Sequence, residues 1–117
     1  MIIAGNWKMN PSLAVAGQLA NALTVRRFEP VTRILFTPHP FLVPMSVWLE
    51  GSDVRLGGQD CHQDESGAHT GDVSAAMLRD CGASLVLLGH SERRANHGET
   101  SALIAAKGAQ ALAHDLD

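Results

Sequence analysis

Residues Ser84 to Arg94 read Ser-Leu-Val-Leu-Leu-Gly-His-Ser-Glu-Arg-Arg, an apolar run that ends at Gly89 and is followed by five polar residues. A short apolar run bounded by glycine is typical of a strand that is buried on both faces of a parallel sheet. Ligands of such sheets bind beyond the carboxyl ends of the strands. His90, Ser91 and Glu92 are therefore candidate site residues, although a polar loop that enters a helix explains this segment equally well.

The alternation of strand and helix extends outward from this segment over the whole chain. Strands are predicted over four apolar runs, at Ile2–Gly5, Thr32–Thr37, Val54–Gln59 and Ala83–Leu88. Strand followed by helix, repeated in this way, predicts βαβ units and a parallel sheet. The fold class is therefore α/β, with residues 1–117 forming one domain of four βα units.

The predicted helices lie between and after these strands. Asn10 followed by Pro11 is a typical helix start, and Asp72 can cap a helix over Val73–Cys81. The second helix along the chain is predicted over Phe41–Leu49, and Ser91 is expected to open a short one. The last helix runs from about Thr100 to Leu116, with an apolar side formed by Leu103, Ile104, Ala111 and Leu112.

Composition and charge limit the class of protein. A chain with 45% hydrophobic and 18% charged residues is expected to be soluble and globular. A net charge of −3 does not favour nucleic acid or an anionic membrane surface as a partner. No secretory signal or membrane span is visible, and two cysteines are too few for a disulfide framework. We expect a cytoplasmic protein with free thiols.

The carboxyl end of the first strand carries a second pair of candidate residues. Side chains alternate along a strand, so Asn6 and Lys8 share a face and Trp7 lies on the other. An amide beside an ammonium group suits an anionic or oxygen-rich small ligand. Considered by itself, this pair is better explained as a turn asparagine and a solvated lysine.

His90 can be assigned a chemical role from its place before a predicted helix. The partial positive charge of a helix N-terminus opposes protonation of an adjacent imidazole and lowers its pKa. A neutral histidine at this position can donate a hydrogen bond to a carbonyl or enediolate oxygen. Glu92 would supply the counter-charge for Lys8.

A metal site is a weaker alternative. The chain has six histidines, and Cys61, His62 and Asp64 could ligate zinc if the fold brought them together. Their spacing matches no metal signature, and scattered surface histidines explain the count better. We therefore predict neither a metal nor a cofactor.

Several separated motifs resemble one family, in order and in spacing, from Met1 to Asp117. The four motifs are Ala4-Gly5-Asn6-Trp7-Lys8-Met9-Asn10, Gly58-Gln59-Asp60, Gly67-Ala68-His69-Thr70-Gly71-Asp72-Val73-Ser74 and Leu88-Gly89-His90-Ser91-Glu92-Arg93-Arg94. Gly98-Glu99-Thr100 continues the match after the fourth motif. The family that these motifs resemble is triosephosphate isomerase.

The resemblance implies that the chain is the first half of a TIM (β/α)₈ barrel. The implied reaction is the interconversion of dihydroxyacetone phosphate and D-glyceraldehyde 3-phosphate through an enediolate, in glycolysis and gluconeogenesis. Asn6 and Lys8 match the substrate-binding pair, and His90 matches the neutral electrophile. Glu92 matches the carboxylate that holds the lysine, and Ser91 contributes a hydroxyl to the same pocket.

The resemblance also implies a homodimer. The family's third loop, here about Asp60–Gly71, reaches into the neighbouring subunit, and Thr70 matches its tip. His69 stands where many members carry an aromatic residue. A loop of this length is long for a βα connection, which favours a function over a plain link.

Half of the family's catalytic apparatus has no match in these residues. The glutamate base on the sixth strand, the mobile lid and the phosphate-binding glycines all follow the fourth strand. Proton abstraction next to a carbonyl needs a positioned base, so we predict that the 117 residues alone are inactive.

Two open sheet edges are expected as well. Another polypeptide or a second copy could cover them, but we favour a longer chain of which these residues are a part. The alternative function is a non-catalytic half-barrel that binds phosphate sugars weakly or assembles through its open strand edges.

Overall fold

Four strands and five α-helices alternate along the chain in the computed structural model, which describes all 117 residues. A 3₁₀ turn at His39–Phe41 precedes the second helix. The strands are β1 Ile2–Asn6, β2 Thr32–Phe36, β3 Val54–Gly58 and β4 Leu85–Val86. The helices are α1 Leu13–Thr24, α2 Leu42–Trp48, α3 Ala75–Asp80, α4 Ser91–His97 and α5 Ser101–Ala113.

The strands form a single parallel sheet in the order β1-β2-β3-β4, as the alternating pattern predicted. Asn6 pairs with Phe36, and Phe36 pairs with Gly57, so the first three strands end at the same level. The residues that follow β1, β3 and β4 therefore meet at one edge of the sheet.

No helix of the structure is both long and apolar enough to cross a membrane.

Small and apolar side chains from the helices form the core against the sheet. Ala16 of α1, Met45 of α2 and Leu78 of α3 are completely buried. Trp7, which was expected on the face opposite Asn6 and Lys8, is partly buried against this core. In contrast, Ile2 and Ile3 of β1 remain 67% and 56% exposed.

The predicted start of α1 is wrong by two residues. Asn10 was expected to cap the helix with Pro11 at its first position, but the helix begins at Leu13 and its cap is Ser12. The Ser12 hydroxyl accepts a hydrogen bond from the Val15 amide at 3.4 Å. Asn10 and Ser12 are both favourable helix-capping residues, so the sequence pattern alone does not distinguish between them.

The predicted cap of α3 is displaced in the same direction. The Asp72 amide donates to the His69 carbonyl at 3.0 Å and closes a loop turn instead of starting a helix. Ser74 is the cap, and its hydroxyl accepts from the Met77 amide at 3.2 Å. The helix begins at Ala75, so Val73 belongs to the loop.

β4 is shorter than the predicted strand over Ala83–Leu88, since it comprises only Leu85–Val86. The first residue of the predicted range donates its amide to the Leu78 carbonyl at 3.0 Å and thereby closes the end of α3. On the outer side of the strand, the Val86 amide donates to the Asp117 carbonyl at 3.0 Å. The predicted range thus begins at the end of α3. Ser84 and Leu87 still donate their amides to the Leu56 and Gly58 carbonyls of β3, so hydrogen bonds to β3 continue just beyond both ends of β4.

The apolar face of α5 differs from the predicted one at Leu112, which is 73% exposed. Of the predicted face, Ala111 is buried at 3% exposure and Leu103 and Ile104 are partly buried, and the helix also presents Lys107 to the interior, at 4% exposure. Lys107 and Ala111 lie four residues apart on one side, while Leu112 is rotated by about 100° from Ala111. The hydrophobic pattern treated the buried lysine as a surface residue and therefore included Leu112 in the buried face in place of Lys107.

The two cysteines are free, as predicted, and differ in burial. Cys61 follows β3 and is 1% exposed, whereas Cys81 at the end of α3 is only partly buried. Burial, with a smaller contribution from the Asp60 carboxylate, raises the pKa of the Cys61 thiol to about 11. Because the thiolate is the reactive form, Cys61 should be nearly inert.

We expect iodoacetamide to modify Cys81 at least about tenfold faster than Cys61 in the folded chain. Peptide mass spectrometry after timed quenching measures both rates in one sample. In concentrated urea the two rates should converge. Equal rates in the folded chain would show that the predicted protection of Cys61 is wrong.

Candidate active site

A cleft of about 370 Å³ opens at the carboxyl edge of the sheet, where residues after β1, β3 and β4 meet. It contains four of the five candidate residues on these segments, and the exposed Ser91 is not among those that line it. The residues lining the cleft are Asn6, Lys8, Met9, Gln59, Leu87, His90, Glu92, Arg93, Asn96 and His97.

Lys8 leaves the strand in a left-handed backbone conformation, with φ of 55°. Its ammonium group donates a hydrogen bond to Glu92 Oε1 at 2.5 Å, across 84 positions of the sequence. Both side chains remain about half exposed. The hydrogen bond from Lys8 lowers the pKa of Glu92, which keeps this carboxylate ionised. The predicted counter-charge for the lysine is thus in contact with it.

Asn6 and the backbone around Lys8 are held by Gln59, which follows β3. The Asn6 Oδ1 accepts from the Lys8 amide at 2.9 Å and from Gln59 Nε2 at 3.2 Å. The same Gln59 nitrogen also lies 3.0 Å from the Lys8 carbonyl and 3.2 Å from the Phe36 carbonyl. One amide group therefore joins the ends of β1, β2 and β3.

His90 caps α4 with its side chain, as its place before a short predicted helix suggested. The Glu92 amide donates to His90 Nδ1 at 3.2 Å. In the neutral ring this leaves the proton on Nε2, so that nitrogen can donate to a ligand. The cleft thus combines an ammonium group, an imidazole donor and a side-chain amide, which together suit a small ligand with anionic oxygens.

A network of buried charges lies behind the cleft and links it to α5. Lys107 donates to Asp60 at 2.8 Å and to Glu99 at 2.5 Å, and the side chains of Lys107 and Glu99 are 5% and 2% exposed. Arg93, which lines the cleft, contacts Asp60 at 2.9 Å and Glu99 at 2.7 Å. His39 joins through its Nε2, 3.1 Å from the Asp60 carbonyl. This network fixes one wall of the cleft.

Glu99 makes this network sensitive to acid. Burial opposes its ionisation, but hydrogen bonds from Lys107 and Arg93 outweigh burial and hold its pKa below the ordinary 4.5. A carboxyl group whose pKa is lower in the folded chain stabilises the fold above the unfolded pKa. This contribution is lost as the pH falls below that value.

We therefore expect the free energy of unfolding to fall in acid below about pH 4.5, and to fall less steeply in Glu99→Gln, which cannot titrate there. Urea unfolding of both proteins across this pH range measures the difference. Asp80→Asn serves as a control, because Asp80 lies at the exposed end of α3 and should leave the slope unchanged. An identical slope in Glu99→Gln would contradict the prediction.

The loop Asp60–Gly71 carries the two residues predicted for a subunit interface. Thr70 is exposed, and His69 turns its Nε2 back toward Asp64 Oδ2 at 2.9 Å.

Cys61, one of the three residues suggested as zinc ligands, does not face the other two. Its thiol lies 3.8 Å from the Lys107 carbonyl and points into the core.

Sequence reasoning overlooked part of this site. Gln59 was recognised only as the end of the predicted third strand and as part of the Gly58-Gln59-Asp60 motif, although its place directly after β3 is the same signal that identified His90 after β4. Asn96 and His97 line the cleft from the far end of α4, and only the helix geometry brings them there. Lys107 is 47 residues from its partner Asp60, and no local pattern predicts that pair.

Comparison with known proteins agrees with this geometry. The triosephosphate isomerase family model matches residues 1–117. The triosephosphate isomerase of Caulobacter vibrioides is 50% identical over 99% of this chain and 47% of its own. That of Hyphomonas neptunium is 46% identical over 95% of this chain and 45% of its own.

The structural match is equally clear. The crystal structure of triosephosphate isomerase from Bartonella henselae superposes with a TM-score of 0.88 at 41% identity, over 98% of this chain and 48% of that one. The chain thus spans about half the length of the relatives it matches, and its sheet corresponds to the N-terminal half of a TIM barrel. Motifs, sheet order and a match over every residue agree, and the chain belongs to the triosephosphate isomerase family.

Proposed function

We propose that this chain supplies the electrophilic side of a triosephosphate isomerase site, which interconverts dihydroxyacetone phosphate and D-glyceraldehyde 3-phosphate through an enediolate. The observation that carries the proposal is the ion pair between Lys8 and Glu92 beside His90 in one open cleft. The first two residues come from opposite ends of the sheet, and their meeting at a strand edge is the arrangement expected of a built site.

The geometry supports distinct roles for these side chains. The ammonium of Lys8 would offset the negative charge that develops on the substrate oxygens, in a position fixed by Glu92. His90, with Nδ1 occupied by the Glu92 amide, would donate from Nε2 to the carbonyl and then to the enediolate oxygen. Asn6 would hold the substrate beside the lysine, and Gln59 would keep Asn6 in place.

No carboxylate of the chain is placed to act as the base. Glu92 is engaged by Lys8, and Glu99 lies buried in the network behind the cleft. We infer that residues 1–117 are four βα units of a larger barrel and do not isomerise triose phosphates by themselves. The exposed Ile2 and Ile3 of β1 support this, because a complete barrel would cover that strand.

The decisive experiment completes the barrel. Residues 1–117 are fused to the C-terminal half of the Caulobacter vibrioides relative, and isomerisation of dihydroxyacetone phosphate is measured by a coupled assay. We expect activity in the fusion and none in the 117-residue chain alone. His90→Gln should lower kcat of the fusion by about 10²- to 10⁴-fold, since it removes the imidazole donor.

His114→Gln is the matched control, because His114 lies after α5 and does not line the cleft. It should leave kcat unchanged. An inactive but folded fusion that still binds a phosphorylated three-carbon acid would support the alternative of a non-catalytic binding module. Substantial activity of the chain alone would contradict its proposed inactivity.

We also propose that the completed protein is a homodimer that uses the loop Asp60–Gly71, with Thr70 and His69 at the contact. The exposed position of Thr70 supports this. Sedimentation of the fusion measures its mass directly. The isolated chain, whose β1 and β4 are open sheet edges, should instead associate through those edges at higher concentration.

A further inference from the structure

A second cluster of metal-binding side chains lies in the loop after β3, and it shares no residue with the cleft. The imidazole rings of His62 and His69 stack with centroids 3.9 Å apart and an angle of 29° between their planes. Asp64 lies beside them, and one ligand atom from each of the three residues falls within 4.8 Å of the others. They border a small cavity of about 90 Å³.

The distances suit a tetrahedral zinc ion. Zinc–nitrogen and zinc–oxygen bonds of about 2.0–2.2 Å place two tetrahedral ligands about 3.3–3.5 Å apart. His69 Nε2 is 2.9 Å from Asp64 Oδ2, and His62 Nδ1 is 3.9 Å from the same oxygen. These two separations lie on either side of the required value, and the ligand atoms of all three residues lie within 4.8 Å of one another. Because a bound zinc ion lies in the plane of each imidazole, binding would require the stacked rings to swing apart.

The surroundings of His62 set its lone pair for binding. The Asp64 amide donates to His62 Nδ1 at 3.0 Å, so this nitrogen is the unprotonated one in the neutral ring. A zinc ion would take the place of that amide. On the other side, His62 Nε2 faces Asp72 Oδ2 at 3.7 Å, and a carboxylate beside the far nitrogen of a ligating histidine strengthens the metal bond.

The backbone of the loop keeps space and position for the cluster. The His62 amide donates to the Val73 carbonyl at 2.9 Å, which ties the beginning of the loop to its end. Gly67 passes beside the His69 ring, and a Cβ atom there would lie 2.9 Å from Nε2. A side chain at this position would therefore occupy the space that the ligating nitrogen needs.

We propose that His62, Asp64 and His69 form a zinc site that closes the loop Asp60–Gly71 on itself. Two imidazoles and one carboxylate are a familiar zinc donor set, and three protein ligands leave a fourth position for water. Asp72 orients His62 from outside the ligand set. None of its residues lines the cleft, so the site does not depend on the proposed isomerase activity, although it shares His69 with the loop proposed as the dimer contact.

Calorimetric titration of the untagged, chelator-treated chain with Zn²⁺ tests the proposal. We expect one zinc ion per chain, and His62→Asn or His69→Gln should weaken binding by more than about 100-fold. Asp72→Asn should weaken it by about tenfold, as is usual for an outer partner. His97→Asn, an exposed histidine outside the cluster, should bind zinc as the unchanged chain does.

A measurement on the unchanged chain removes any dependence on whether the variants fold. Zinc should protect His62 and His69 from modification by diethyl pyrocarbonate, read by peptide mass spectrometry, while His97 and His114 react at their original rates. Absence of stoichiometric binding would overturn the proposal. So would equal modification of His62 and His69 with and without zinc, or full zinc affinity in a folded variant lacking both.

Discussion

Replacing Lys107 with methionine should lower the free energy of unfolding by about 3–5 kcal/mol, because it leaves buried carboxylates without their cation. The Lys107 side chain is 5% exposed, and its ammonium contacts both Asp60 and Glu99. Burial alone would lower the pKa of Lys107, but the hydrogen bonds to the two carboxylates outweigh it and raise the pKa. The lysine is thus charged in the folded chain.

Lys8→Met is the matched control for this prediction. The chain contains only two lysines, and each contacts a glutamate oxygen at 2.5 Å. The pair of Lys8 and Glu92 is about half exposed, where water screens the charges and an ion pair contributes little to stability. Urea unfolding should therefore separate the two variants clearly. Equal losses would contradict the assignment of stability to burial.

Activity should show the reverse order. In the fusion that completes the barrel, Lys8→Met should lower kcat/KM by about 10²- to 10³-fold, since it removes the cation that opposes charge on the reacting oxygens. Arg26→Met removes an exposed cation far from the cleft and should leave kcat/KM unchanged. If kcat/KM fell only because KM rose, with kcat retained, Lys8 would contribute to substrate binding and not to the chemical step.

The two lysines differ in exposure and in proposed role. Under the proposed function, Lys8 is exposed where a substrate would reach it, and its contact keeps its partner Glu92 ionised. Lys107 is buried, and it shares the carboxylates of Asp60 and Glu99 with Arg93 behind the cleft. Stability is therefore expected to depend on the buried lysine and catalysis on the exposed one.

Much of the fold could be predicted from local pattern. Apolar runs alternating with helical periodicity predicted the four parallel strands. The rule that ligands bind beyond strand ends made His90 a candidate, whereas only the resemblance to the family favoured Lys8 as a binding residue, and both line the cleft. What failed depended on competition between neighbours. Ser12 and Ser74 took the caps from nearby residues that are equally suitable in isolation.

The long-range polar contacts could not be predicted for a different reason. Lys107 looks like a surface residue in any helical pattern, and only Asp60 and Glu99 on other segments make its burial favourable. His62 and His69 lie close together in one loop, but their spacing matches no metal signature and does not show that the loop stacks their rings. Such contacts depend on how the chain returns on itself, which local periodicity does not contain.

Gln59 places an unusual restriction on what can replace it. Its Nε2 faces three oxygens, on Asn6, Lys8 and Phe36, and none of them can donate a hydrogen. Glutamate, which differs from glutamine by one group and has the same shape, would set an anion against all three. The residues tolerated at this position are therefore limited by the need for a hydrogen-bond donor and not by side-chain size. A substitution that leaves the volume almost unchanged would remove the group that joins three strand ends.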